Sequence, residues 1–166
     1  MALARLSALT PTFGTEVHGV DIGGGLSSAQ WGQLERAFHG RSGGLLLLRG
    51  QTADAASVKA FAARFGVLED NAKYLQMGLG HQLHPEHQEI LSVGNALGER
   101  SMMIAVPEHA PLLWHCDDSF RSPQPLGSCF FCVEAPAHGG ETWFASGSGE
   151  LADCFGSFPA VIGGLS

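Results

Sequence analysis

Between positions 114 and 120 the chain reads Trp-His-Cys-Asp-Asp-Ser-Phe, which sets an imidazole and a carboxylate two residues apart. In extended or looped backbone, side chains at i and i+2 leave on the same side. His115 and Asp117 can then reach one cation while Cys116 turns away. A neutral imidazole and a carboxylate are two members of the 2-His-1-carboxylate set that holds non-heme Fe(II) and leaves coordination positions open. The spacing alone is common. With eight histidines in 166 residues, an isolated His-x-Asp is more often a solvated turn. The surrounding residues carry the rest.

Around the pair lies Leu113-Trp114-His115-Cys116-Asp117-Asp118-Ser119-Phe120, followed further on by Pro136-Ala137-His138-Gly139-Gly140-Glu141-Thr142-Trp143-Phe144-Ala145. These stretches resemble the W-H-x-D-x-S/T-F and G-G-x-T-x-F-A motifs of the taurine dioxygenase family, which includes aryloxyalkanoate dioxygenases. Upstream, Thr15-Glu16-Val17-His18-Gly19-Val20-Asp21-Ile22 resembles the family's opening strand. Leu45-Leu46-Leu47-Leu48-Arg49-Gly50-Gln51 is similar to its strand ending in Arg-Gly-Gln, and Phe61-Ala62-Ala63-Arg64-Phe65-Gly66 to a helix end. His84-Pro85-Glu86-His87-Gln88-Glu89-Ile90-Leu91 fits the segment leading to the active-site strand.

The resemblance implies an Fe(II)- and 2-oxoglutarate-dependent dioxygenase of α+β class on a double-stranded β-helix, a cupin-like jelly roll. His115 and Asp117 would be two iron ligands, and Thr142 would hydrogen-bond a carboxylate oxygen of 2-oxoglutarate. A threonine suits that place because its hydroxyl can donate to the anion. The implied partners are 2-oxoglutarate, O2 and a small organic substrate, a sulfonate or an aryloxyalkanoate among them. The implied reaction hydroxylates the substrate and releases succinate and CO2.

The family also has a distal histidine ligand and an arginine that clamps the far carboxylate of 2-oxoglutarate by a bidentate pair. Downstream of His115 the single histidine is His138, inside the Gly-Gly motif, and no arginine follows Arg121. The expectation is therefore one taurine-dioxygenase-like domain over residues 1–166, stopping before both groups. Two rival expectations follow from the same gap. One is a shortened, non-catalytic member acting by association through exposed sheet edges. The other is a two-ligand, cupin-like metal-binding module. A homo-oligomer supplying a histidine from a second copy is a further arrangement, though no histidine-rich motif supports it.

Other residue types that carry chemistry have plainer readings. Cys129 and Cys132 form a C-x-x-C, but 128–133 reads as a strand. Residues i and i+3 of a strand face opposite sides, so buried, reduced cysteines are expected rather than a zinc or disulfide pair. His81, His84 and His87 recur every third residue, yet Pro85 breaks any helix that would align them. Gly23-Gly24-Gly25 lacks the Gly-Lys-Ser/Thr ending of a phosphate loop. Ser119 lacks the Gly-x-Ser-x-Gly elbow of a nucleophile. Trp114 and Phe120 read as site walls or core, and Met102-Met103 as core or pocket lining. Residues 94–111 are where substrate-choosing differences should lie.

The elements that must position these residues are legible in outline. Residues 15–22 suggest a strand closed by three glycines. Ser27 with Gln30 makes a capping-box start for a helix carrying Trp31, Leu34 and Phe38 on one face. Residues 45–48 read as a strand buried on both faces. A helix starting near Thr52 or Asp54 would bury Val58, Phe61, Ala62 and Phe65 and end at Gly66. Residues 69–89 look irregular, and strands are expected over 90–93, 102–106, 127–133 and 142–145. Strand and helix alternating, then a run of strands, give α+β.

Composition sets the outer limits. Apolar content of 45% and mean hydropathy of +0.10 suit a globular domain with its own core. No apolar run is long enough for a membrane span, and no basic-then-apolar leader opens the chain, so a cytoplasmic protein is expected. A net charge of −7 argues against nucleic acid, for which a basic patch would supply most of the affinity.

Overall fold

Val17, 1% exposed, sits in the central strand of the first layer, and the chain folds outward from it. The computed structural model describes residues 2–40, 43–78, 83–93, 114–135, 137–139, 141–146 and 161–162. The chain divides into two compact units, Met1–Thr52 with Phe130–Ser166, and Ala53–Cys129.

In the first unit, β1 (Arg5–Ala8) pairs antiparallel with β2 (Thr15–His18), which pairs parallel with β3 (Leu46–Leu48). The register sets Leu6 against Val17 and Val17 against Leu48. Helix α1 (Ser28–His39) makes the crossover between the parallel strands and packs on β2 and β3. Leu34 from α1 is fully buried, and with Val17, Val20, Ile22 and Phe13 it forms the core. Burying a side chain of this size contributes about 1.5–3 kcal/mol. The expected strand 15–22 ends at His18 because Gly19 takes a φ of 76° and turns the chain.

The capping box at Ser27 is present: Ser27 Oγ accepts from Gln30 N at 3.2 Å, and Gln30 Oε1 accepts from Ser27 N at 3.0 Å. Gln30 does more than cap. Its Nε2 donates to Gly19 O at 3.1 Å, fastening the helix start to the end of β2. Gln33 pairs both ways with the backbone of Ala4, and Gln51 accepts from Ile22 N at 3.0 Å while donating to Val20 O at 3.1 Å. Amide side chains thus supply the backbone partners that the short strands leave wanting.

Residues 45–48 are half-buried rather than covered on both faces, and among the described residues β3 ends its sheet with β2 as its one strand neighbour. Of the expected strand 142–145, β4 (Phe144–Ala145) forms, antiparallel to β5 (Val161–Ile162). No strand forms over 127–133, since no partner strand lies beside it among the described residues. Expected strand 102–106 lies outside the described residues.

In the second unit, Asp54 caps α2 (Ala55–Ala62), accepting from Ser57 N at 2.8 Å. Hydrogen bonds from the Ser57 side chain and from its backbone N–H hold the Asp54 carboxyl below its usual range. The helix closes at Ala63 with i to i+3 bonds from Arg64 N and Phe65 N, earlier than Gly66, which keeps an ordinary φ. Phe61 and Phe65 meet edge to face at 5.6 Å. Within the stretch expected to be irregular, α3 (Ala72–Gln76) forms. Of the expected strand 90–93, Leu91 forms an antiparallel bridge with Leu83, and Val93 takes part in a further bridge. Lys59 Nζ to Glu89 Oε1, 2.7 Å, ties α2 to this segment.

Candidate metal and cosubstrate site

His115 and Asp117 lie in a loop of the second unit, and the backbone brings their side chains together. His115 Nε2 stands 3.3 Å from Asp117 Oδ1, with the two side chains 66% and 69% exposed. Cys116 between them is an exposed free thiol. Among the described residues no group of three His, Cys, Asp or Glu side chains converges.

Next to this pair in sequence, Asp118 enters a second, better-covered cluster. Asp118 adopts a φ of 50°, the left-handed region that aspartate tolerates better than most residues. Its carbonyl accepts from Arg121 N at 3.0 Å, closing a turn. Its carboxylate takes Lys73 Nζ on both oxygens at 3.2 Å. Lys73 also reaches Glu69 Oε1 at 3.4 Å, and Arg121 Nη1 donates to the same Glu69 oxygen.

The charges in this cluster act on one another. Partial burial works against the Lys73 ammonium, but the Asp118 and Glu69 carboxylates outweigh it and hold its pKa above the ordinary value. Burial also works against the Asp118 carboxylate. The Lys73 hydrogen bond and charge, helped by Arg121, bring its pKa below the usual range. Sequence reasoning missed these four residues. The available signals were the i, i+4 spacing of Glu69 and Lys73 and the doubled aspartate at 117–118.

Thr142 belongs to the first unit, half-buried, two residues before β4. Cys129 and Cys132 are exposed rather than buried, which follows from the missing strand at 127–133. Trp114 and Phe120 are exposed, so neither fills a core. His84 and His87 are half-buried and stack ring on ring at 5.2 Å, and residues 83–93 form no helix. His81, Met102, Met103 and the stretch 94–111 lie outside the described residues.

Residues 5–165 match the family model described as "Taurine catabolism dioxygenase TauD, TfdA family". The chain is 30% identical over 138 residues to an α-ketoglutarate-dependent 2,4-dichlorophenoxyacetate dioxygenase of Cupriavidus pinatubonensis, covering 82% of this chain and 47% of that one. A protein of the same description from a Burkholderia species is 28% identical over 159 residues, covering 95% and 53%. Pentalenolactone F synthase of Streptomyces arenae is 34% identical over 137 residues, covering 79% and 42%. The chain thus spans about half the length of the curated relatives it matches. The family match runs through both segments discussed above, the His-x-Asp loop and the Gly-Gly-x-Thr stretch, and on its extent the chain belongs to the taurine catabolism dioxygenase TauD/TfdA family.

Proposed function

We propose that this chain carries part of the active site of an Fe(II)- and 2-oxoglutarate-dependent dioxygenase that hydroxylates a small organic acid. His115 Nε2 and Asp117 Oδ1 are two of the iron ligands, and the observation that carries this reading is their 3.3 Å approach. Two donors each about 2.1 Å from one ion and at right angles lie roughly 3 Å apart, so a small side-chain adjustment suffices. A neutral imidazole nitrogen with a carboxylate oxygen suits a first-row divalent ion. When bound, the iron would let O2 and 2-oxoglutarate react, giving succinate, CO2 and an oxygen for the substrate's C–H bond.

The chain's own side chains do the binding. The His115 imidazole would hold the ion through a ring nitrogen, and Asp117 offsets part of the ion's charge. The Thr142 hydroxyl donates to a carboxylate oxygen of 2-oxoglutarate. These residues belong to one double-stranded β-helix domain, the jelly-roll fold of the family. A carboxylate-bearing substrate is supported by the 2,4-dichlorophenoxyacetate in the relatives' description. Succinate release with Fe(II), 2-oxoglutarate and a panel of aryloxyacetates and sulfonates tests the reading. His115→Ala and Asp117→Ala should abolish release, and Thr142→Val should raise the KM for 2-oxoglutarate. Release unaffected in both ligand variants would overturn it.

A second reading, a non-catalytic association module, is favoured by the exposure of Phe120 (85%) and Leu126 (58%). Apolar surface of this kind marks contact sites when it is contiguous. Sedimentation separates the two: concentration-dependent association without succinate release supports the second, and a monomer that releases succinate supports the first.

A further inference from the structure

Four charged residues close a ring beside the His-x-Asp loop, three links through side chains and one through the backbone. Lys73 holds the Asp118 carboxylate on both oxygens at 3.2 Å, and Asp118 O takes the Arg121 amide at 3.0 Å. Arg121 reaches Glu69, and Glu69 returns to Lys73 at 3.4 Å. We propose that this ring is a positioning clamp, in which Lys73 and Asp118 fix the turn that makes the His115 and Asp117 donors converge. The inference rests on the iron-ligand reading above.

Two features argue for it. The first is conformational. Asp118 holds a φ of 50°, which a residue with a Cβ leaves readily unless something retains it. It is retained twice, through its carbonyl and through its carboxylate. The anchor is remote, since Lys73 stands 45 residues away in α3. A change at Asp118 moves Asp117 directly, because they share a peptide bond.

The second is chemical. Asp117 and Asp118 place two carboxylates side by side, and either could bind a divalent ion. The lysine occupies both oxygens of Asp118, whose side chain is 20% exposed, while Asp117 stays 69% exposed with His115. Lys73 thereby removes the competing ligand and leaves the one that pairs with the imidazole. Such orienting partners are worth about 10–100-fold in metal affinity where they have been removed from other sites.

The test uses the 166-residue chain and Mn(II) alone, read by the electron paramagnetic resonance of free Mn(II), with His115→Ala as the reference. Hydrogen exchange at the Arg121 amide reads the turn without metal. Lys73→Met should weaken Mn(II) binding about 10–100-fold and speed Arg121 exchange with the melting temperature little changed. Lys73→Arg should restore both. If Lys73→Met loses its cooperative melt, the isosteric Asp118→Asn carries the same two measurements.

Unchanged Arg121 exchange in Lys73→Met overturns the clamp whatever the metal does. Unchanged Mn(II) affinity, where wild-type binding depends on His115, overturns the positioning role. Wild-type binding indifferent to His115→Ala instead overturns the ligand reading, and the positioning role falls with it.

Discussion

His115 Nε2 and Asp117 Oδ1 stand 3.3 Å apart with both side chains about two-thirds exposed, so the pair is set for contact with something other than this chain's core. Exposed ion pairs contribute roughly 0–1 kcal/mol to folding. His115→Ala and Asp117→Ala should each shift folding stability by less than about 0.5 kcal/mol while removing divalent-metal affinity. Thermal melts and metal titrations check this. Strong destabilisation by either change would make the pair a structural contact.

Cys116, an exposed free thiol, sits between the two proposed ligands. A bound divalent ion should slow its alkylation, because ordering the loop restricts approach to the sulfur. Cys129 and Cys132, also exposed, serve as internal references whose rates should not move. Peptide-resolved mass spectrometry with and without Mn(II) reads all three. A Cys116 rate unchanged by saturating metal would count against a shared ion at this loop.

Gln51 is predicted to be a structural peg, since it accepts from Ile22 N and donates to the carbonyls of Val20 and Arg49. Gln51→Leu leaves part-buried backbone groups without partners, at about 1–3 kcal/mol for each unsatisfied group. The variant should melt well below the wild type. Ser27→Ala, which deletes the cap of α1, should cost about 1 kcal/mol, measured by denaturant unfolding. Equal stability of Gln51→Leu and wild type would show that water replaces the amide.

The Lys59 hydrogen bond and charge hold the Glu89 carboxyl below the usual glutamate range. A carboxyl whose pKa is lowered by folding stabilises the native state above its unfolded value and loses that contribution as pH falls through the folded value. Stability should therefore fall with acidification below about pH 4.5. Glu89→Gln should flatten that limb, and added salt should weaken the difference. Melting temperatures between pH 3 and 7 decide it, and parallel profiles for the two proteins would remove Glu89 from the acid response.

What the sequence made legible was local. The Ser27–Gln30 capping box, the Asp54 cap and the approach of His115 to Asp117 each depend on residues two or three positions apart. What it concealed depends on distant partners. The leucines at 45–48 promised a covered strand, but among the described residues β3 ends its sheet, a fact of topology rather than composition. Residues 127–133 have strand-forming types without a neighbour among the described residues to pair with. Lys73 meets Asp118 across 45 positions and Arg121 meets Glu69 across 52, so no spacing rule connects them.

Anaerobic titration of the chain with Fe(II) and 2-oxoglutarate tests the central claim most directly, through the weak visible charge-transfer band of an iron-chelated 2-oxo acid. A saturable band in the wild type, lost in both His115→Ala and Asp117→Ala, is the predicted result. No band, or a band that survives either substitution at full strength, would contradict the assignment of these two residues as iron ligands.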